Sequence, residues 1–519
     1  MKKWLLRVLL IFLGLLIILF LFVYHCISDR HPGYELDLKI SGGAESQLRA
    51  GFAAYSITPE IVDTWEDRNG DAKFEEKEDF YNDVNKNGKF DAYWIAGFSN
   101  ARPANGVHDS LWARAVVFDD GSNRIALIVL DAIGFFYGDV IDIRQEVESS
   151  VEVDYICVCS THDHEAPDLL GFWGKNYLTS GVNQSYKAFV KKQAVNAIKL
   201  AVQRLRPVKL KIVQDTEVAK QWVNDTRKPF VLDAGLRILQ VIDAEEDTTL
   251  GVIVSWGCHP ETLWSKNLLI TSDYPNYLRK GIEEGIFHEG KLVQPGVGGI
   301  TVFFNGAIGG LMTTDPGLPI ADPISDTLYR EPSFDKARAQ GYQLALAVLK
   351  ALNSSKVKFV EKGSITLRAK TIQLPVKNKY FRIGALLSVL DRGFTGWMKT
   401  RSEVAAFRIG PVSFLAIPGE IYPELIEGGV ESPPGNDFNI EPVELPPLRS
   451  LMPGKIKFVI GLANDEIGYI IPKSEWDTKP PYLYHADKSP YGEINSLGPE
   501  TAPIIHETAK QLLIELKEL

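Results

Sequence analysis

A mixed α/β fold, a β-sheet core with flanking helices behind one N-terminal transmembrane helix, is predicted by three observations. Short apolar, β-branched runs alternate with helix-length periodic runs along most of the chain. Several of those strand-like runs end abruptly in loops that carry His, Glu or Tyr beside Gly or Pro. The first apolar run is uninterrupted from Val8 to Tyr24. With 519 residues, 45% of them hydrophobic and 24% charged, the chain can bury a large core. A net charge of −10, with no Lys/Arg stripe, excludes a nucleic-acid binder.

The elements follow in chain order. Lys2, Lys3 and Arg7 precede the Val8–Tyr24 run, which as a helix would span about 25 Å, enough to cross a thin bilayer. The basic flank is expected to stay cytoplasmic and residues after Ser28 to lie on the far side, in the periplasm or outside the cell. The run exceeds the core of an ordinary cleaved signal, so residues 1–28 read as an uncleaved anchor in preference to a signal segment. Residues 29–49 read as a linker and residues 50–519 as one domain. Strands are expected at Ala115–Phe118, Ile125–Asp131, Tyr155–Ser160, Leu210–Val213, Val252–Trp256, Thr301–Phe304, Val412–Ile417 and Phe458–Leu462. Helices are expected at Val140–Glu148, Tyr186–Leu205, Tyr274–Gly285, Phe334–Leu352 and Pro503–Leu516. The alternation implies a sheet mostly buried on both faces. The four cysteines (Cys26, Cys157, Cys159, Cys258) give no disulfide framework and read as small buried hydrophobes.

An acidic insertion, residues 63–94, carries two loop patterns in tandem. Asp67, Asn69, Asp71, Glu75 and Glu78 fall at positions 1, 3, 5, 9 and 12 of an EF-hand-type loop, with glycine at position 4 instead of 6. Asp83, Asn85, Asn87 and Asp91 repeat positions 1, 3, 5 and 9, now with Gly88 at position 6 and Trp94 at position 12. Oxygen ligands crowded at alternate positions suit Ca²⁺ in a structural role; the alternative is a solvated acidic loop.

The strand exits carry the chemistry. Tyr155–Ser160 runs into Thr161-His162-Asp163-His164, and in an extended chain residues two apart face one side, so His162 and His164 share a pocket. Gly251–Trp256 ends in Gly257-Cys258-His259-Pro260, Val412–Ile417 in Pro418-Gly419-Glu420, and Phe458–Leu462 leads to Gly468-Tyr469. Two imidazoles, a carboxylate and a phenol at strand ends would make a zinc site with room for water. Taken singly, His259 also reads as a loop cap, Glu420 as a helix start and Tyr469 as core.

With these landmarks the sequence resembles the neutral/alkaline ceramidases, zinc amidases, from about Ala50 to Glu507. The motifs come in family order: Gly51–Pro59, Gly106-Val107-His108 through Ala115, Ser160–His164, His259-Pro260, Ile417–Glu420, Gly468-Tyr469, then Tyr491 and Gly498-Pro499. The resemblance implies zinc on His162, His259, Glu420 and Tyr469, with His164 and Tyr491 flanking the substrate carbonyl, and Arg227 offered by Asn224–Arg227. It implies cleavage of an amide, in an N-acyl sphingoid or related lipid, by metal-activated water. Two departures stand out. In Phe303–Thr313, Gly310 and Met312 replace the family's Asp and pocket Ser, and the family's C-terminal immunoglobulin-like domain is not expected in this sequence. Two other readings remain: a metal hydrolase acting on another amide, an ester or a lactone, and a non-enzymatic, calcium-stiffened, membrane-tethered binding protein. The latter predicts loss of a ligand, and the sequence keeps all four. The sequence leaves the oligomeric state open.

Overall fold

The computed structural model describes residues 2–310 and 312–519; of the Phe303–Thr313 stretch, Leu311 lies outside the described residues. Two mixed sheets stack face to face. The larger runs in the order Ile300–Asn305, Thr249–Trp256, Leu236–Asp243, Arg206–Asp215, Arg49–Ser56, Trp112–Asp119, Arg124–Leu130, Tyr155–Ser160, with Lys358–Val360 added beside Arg206–Asp215. Its two outermost pairs are parallel, and the remaining pairs are antiparallel. The smaller sheet runs Asp37–Ile40, Ile365–Pro375, Lys399–Ile409, Val412–Ala416, Ile456–Ile460, its last pair parallel.

Period-2 alternation decides which side chains meet. Ile125, Leu127, Val129, Cys157 and Cys159 of the large sheet pack against Leu367, Phe407, Phe414 and Phe458 of the small one, in one shared core. The opposite residues of the same strands, such as Ala126, Ile128, Ile156 and Val158, pack under helices Tyr137–Glu148 and Gln184–Gln203. Val252, Val254 and Phe303 pack likewise under Tyr274–Glu283 and Phe334–Leu352, and the outer face of the small sheet lies under Thr501–Lys517. The molecule is therefore a four-layer α/β/β/α sandwich.

This corrects the expectation of a sheet covered by helices on both faces: each sheet is covered by helices on one face and by the other sheet on the second. The added strands were hidden by their polar residues. In Ile365–Pro375, Ile365, Leu367 and Ala369 face the core, while Arg368 turns outward to Asp37 and Glu515. A second correction concerns residues 29–49. Asp37–Ile40 is a strand paired to Ile365–Pro375, and Asp29 is held by Arg401 through both oxygens, at 3.1 and 2.8 Å. Most of the expected strands and helices are found with ends shifted by a few residues; Tyr155–Ser160 and Phe334–Leu352 keep the expected bounds.

Helix Lys2–Ile27 projects from the domain at its C-terminal end, Cys26 and Ile27 packed against the fold and most of its other apolar side chains exposed; it is the one helix among the described residues long and apolar enough to cross a membrane. The four cysteines are buried and unpaired.

Candidate functional site: a histidine cluster at the seam of the two sheets

The two sheets meet at their strand ends. Asn464 accepts a hydrogen bond from the Val158 amide at 2.9 Å, and the Ser160 amide donates to the Leu462 carbonyl at 3.2 Å. Asn305 ties two exits together, donating to the carbonyls of Thr161 (2.9 Å) and Cys258 (3.0 Å).

On this frame each predicted side chain is aimed by backbone contacts. His162 has φ +66°, a left-handed conformation rare for a side-chain-bearing residue. Its amide donates to the Ala132 carbonyl, and Nδ1 lies 2.7 Å from the Ile133 carbonyl. His259 is tied twice to Met312: its amide donates to the Met312 carbonyl at 2.9 Å, and Nδ1 lies 2.8 Å from the same oxygen. Each ring is therefore held through an Nδ1–H and turns its Nε2 inward. Glu420 and Tyr469 face each other across a two-residue parallel ladder, Glu420–Ile421 on Tyr469–Ile470. Gly468 makes the ladder possible. It adopts φ +78°, and an added Cβ would lie 1.8 Å from the Asn495 carbonyl.

The result is one buried cluster. Glu420 Oε2 is 3.0 Å from His259 Nε2 and 3.5 Å from His162 Nε2. Tyr469 lies opposite Glu420 in the ladder and helps to lower that carboxyl. His164 joins on the other side, and the ring nitrogens of His162, His164 and His259 lie within 4.8 Å of one another. Among the described residues neither nitrogen of His164 has a hydrogen-bond partner, although both are buried. Gly97, at φ +80°, lets the neighbouring loop lie against this ring; a Cβ there would sit 2.5 Å from His164 Nδ1. The Tyr491 ring lies 6.0 Å from the Tyr469 ring and is exposed, on the rim.

Electrostatics separates the imidazoles. Burial pushes His162 down to about 4, and burial with the neighbouring imidazoles and Arg102 pushes His164 well below its usual range. Burial also works against a charge on His259, but the hydrogen bond to Glu420 and the charges of Glu261 and Glu420 outweigh it and raise the ring to about 9. Glu420 is lowered despite burial, chiefly by His162 and the His259 hydrogen bond. Two inward Nε2 atoms, that of His259 once it gives up the proton it shares with Glu420, an ionised carboxylate and a phenol around one point fit a borderline divalent ion. The carbonyls behind both rings supply the outer contacts such a site needs.

Arg227 is placed elsewhere. Its guanidinium forms a two-pronged pair with Glu493 (2.8 and 2.8 Å), donates to the Tyr422 hydroxyl at 2.9 Å, and reaches the Glu475 carbonyl. It thereby braces the helix Tyr491–Ile494 and does not turn toward the histidines. Sequence reasoning missed Glu261, which is buried, accepts a hydrogen bond from the Thr313 hydroxyl and holds Oε2 3.4 Å from His164 Nδ1. It also missed Glu466, whose Oε2 is buried with no hydrogen-bond partner among the described residues. The position of Glu261 two residues after His259 was the only signal for it. The Met312 side chain is in the core beneath the site and offers no hydroxyl.

The acidic insertion folds around shared aromatics, the Phe74 and Phe90 rings 4.6 Å apart and the Tyr81 and Phe90 rings 5.0 Å apart. The two loops close alike. Asp67 accepts from the Ala72 amide and Asp83 from the Gly88 amide, and Ala72 supplies the positive φ (+62°) that glycine supplies in the second loop. Asn69, Asp71, Asn85 and Asn87 each cap a backbone amide within their loop, and Asp91 accepts from the side-chain Nδ2 groups of Asn85 and Asn87. Glu75 and Glu78 are exposed. Two unpredicted carboxylates are buried instead. Asp79 accepts from the amides of Arg68 and Glu75, at loop positions 2 and 9, and Asp63 from those of Val84 and Asp91, the same positions of the second loop.

The sandwich and its buried histidine cluster define an α/β protein with a candidate metal centre at the seam of two sheets. Residues 86–296 match the family model of the neutral/alkaline non-lysosomal ceramidases, N-terminal region, the family that the motifs resemble. The matched stretch contains His162, His164, Arg227 and His259; Glu420, Tyr469 and Tyr491 lie beyond it. Among solved structures, the chain is similar to the neutral ceramidase from Pseudomonas aeruginosa, with TM-score 0.63 and 16% identity over 91% of this chain and 75% of that one. It is also similar to a ceramidase complexed with C2, with TM-score 0.61 and 16% identity over 91% of this chain and 76% of that one. At this identity the likeness is one of fold. No curated protein matches the sequence.

Proposed function

We propose that the chain is a zinc-dependent hydrolase that cleaves the amide of an N-acyl sphingoid or related lipid. The observation that carries this reading is the convergence of His162, His259, Glu420 and Tyr469, from exits of both sheets, with Glu420 within 3.5 Å of both imidazoles. These four residues would hold a zinc ion, which would supply Lewis acidity and lower the pKa of water from 15.7 to about 7. The chain's own groups do the rest. His162 and His259 are locked through Nδ1, so their coordinating nitrogens cannot rotate away. His164 and Tyr491 flank the substrate carbonyl and donate to the oxygen that gains charge. Glu261, 3.4 Å from His164 Nδ1, sets a carboxyl beside that ring. Gly97 and the loop packed on His164 keep bulk water off one side.

One observation favours a second reading, hydrolysis of a different amide, an ester or a lactone. Where the resembled family carries a pocket serine, this chain has Met312, whose side chain is in the core and whose carbonyl holds His259, and the nearby Thr313 hydroxyl is given to Glu261.

The insertion loops are proposed to hold calcium in a structural role, through Asp67, Asn69 and Asp71 with Asp79, and through Asp83, Asn85, Asn87 and Asp91 with Asp63. The N-terminal helix is proposed to anchor the domain with the site outside the cytoplasm.

Elemental analysis of the full chain beside His162→Ala and His259→Ala tests the centre. We expect about one zinc per chain in the parent, lost in both variants, with calcium retained in all three. A parent chain that takes up no transition metal when zinc is supplied would sink the hydrolase reading.

A further inference from the structure

Where helix Lys2–Ile27 joins the domain, the surface beside it is unusually apolar. The Phe394 amide donates to the Ile27 carbonyl at 2.8 Å, and Arg30 pairs with Asp391 at 2.8 Å, so the segment after helix Lys379–Leu386 is fastened to the end of the N-terminal helix. The two helices also touch directly. On Lys379–Leu386 and its cap, Tyr380, Ile383 and Leu387 are all about half exposed and, at spacings of three and four, share one face. The Trp397 side chain, on the turn that follows, is 85% exposed. Phe381 of the same helix packs on Phe172, ring centroids 5.2 Å apart, at the base of a loop whose tip presents Tyr177 (84% exposed) and Leu178 (71%). On its other side Asn378, the N-cap of this helix, donates to the carbonyls of Ile494 and Ser496. The apolar rim thus continues to the exposed Ile494 and Tyr491 at the mouth of the histidine cluster.

A soluble surface rarely gathers this many large apolar tips, and such a patch marks an interaction site. Its occupant follows from continuity: the patch begins where an exposed apolar helix, long enough to cross a membrane, enters the fold. Its aromatic tips are the residues favoured at headgroup depth. Lys379 places its Nζ 5.0 Å from the Tyr380 ring and so brings a positive charge, complementary to lipid phosphate, beside this face.

We propose that helix Lys379–Leu386, the Trp397 turn and the Tyr177–Leu178 loop tip form an interfacial docking surface, seated in the headgroup layer of the bilayer that helix Lys2–Ile27 crosses. This holds the mouth of the cluster at the membrane surface, where an acylated substrate leaves the bilayer. The docking rests on the anchor reading of the N-terminal helix and not on the metal chemistry.

The test places single cysteines in the full-length chain, in vesicles of phosphatidylcholine and phosphatidylglycerol, by Leu13→Cys, Leu178→Cys, Ile383→Cys, Trp397→Cys and Phe359→Cys. The native cysteines are buried, so a maleimide fluorophore reports the introduced sites. Positions 13, 178, 383 and 397 are expected to be quenched several-fold more by a lipid-borne nitroxide than by aqueous iodide, and position 359 the reverse. If position 13 is lipid-quenched but 178, 383 and 397 follow 359, the docking surface is overturned and the anchor stands. If position 13 also follows 359, the anchor fails and the docking with it. Shielding of 178, 383 and 397 from both quenchers would assign the face to a second copy and overturn the proposal as well.

Discussion

His162 sits at φ +66°, a conformation that costs a residue with a Cβ roughly 1–3 kcal/mol. It persists because the Ala132 and Ile133 carbonyls hold its amide and its ring at once. His164, two residues on, has a buried ring with no hydrogen bond at either nitrogen, the state of a group awaiting a ligand. These neighbours should therefore respond differently to removal. His162→Ala removes a metal ligand, whereas His164→Ala and Tyr491→Phe each remove one donor to the developing oxyanion. For the latter two we expect bound zinc to stay near the parent level while kcat falls roughly 10²–10³-fold, the usual cost of one such donor. Metal content and steady-state kinetics on an N-acyl lipid, measured on the same preparations, check this. Loss of zinc in Tyr491→Phe would show that Tyr491 belongs to the metal shell.

At the scale of elements, the helix Tyr491–Ile494 is one turn long, too short to hold itself. Three ties fix it: Glu493 to Arg227, the Ile494 carbonyl to Asn378, and the Asn495 carbonyl to the Tyr469 amide. Arg227 and Glu493 are both buried, and breaking a buried pair from one side costs about 3–5 kcal/mol. Arg227→Ala is therefore expected to lower the melting temperature and kcat together with zinc retained, because Tyr491 loses its support while the four ligands keep theirs. Arg227→Lys restores the charge but not the two-pronged geometry and should recover only part of the loss. An unchanged kcat in Arg227→Ala would remove Arg227 from any supporting role. This brace was not legible in the sequence, where Arg227 and Glu493 stand 266 residues apart. What was legible were strands with unbroken apolar runs, such as Tyr155–Ser160, and the residues at their exits. Ile365–Pro375 and Lys399–Ile409 escaped notice because one strand face carries the ion pairs and hydrogen bonds of the outer layer. Asp63 and Asp79 escaped because each serves a loop through backbone amides, outside the periodic positions that sequence reveals.

Over the whole molecule, the seam of two sheets encloses many carboxyl groups, and burial, not pairing, sets the state of several. Burial raises Glu165 and Glu475 to about 8, Asp225 to about 7 and Asp273 to about 6. Glu475 lies beside Glu424, itself raised by burial and by the charge of Glu475, so each carboxyl opposes ionisation of the other. The sign follows from linkage. A carboxyl whose folded pKa exceeds its unfolded value of 4.5 binds its proton more tightly in the native state. Its contribution to stability is fully present below 4.5 and is lost as the pH rises through about 8. Glu475→Gln keeps the neutral shape and removes the titration. Parent and variant should therefore melt at similar temperatures in acid, and the variant should gain on the parent steadily between those two pH values. Each tenfold difference in proton affinity between the native and the unfolded chain is worth roughly 1.4 kcal/mol of that gain, reduced by whatever the second carboxyl takes over. Calorimetric melting of both proteins across that range decides the matter. A gap that stays constant with pH would mean that Glu475 is ionised in the fold and that Arg227, through its contacts with Glu493 and the Glu475 carbonyl, already neutralises this corner of the molecule.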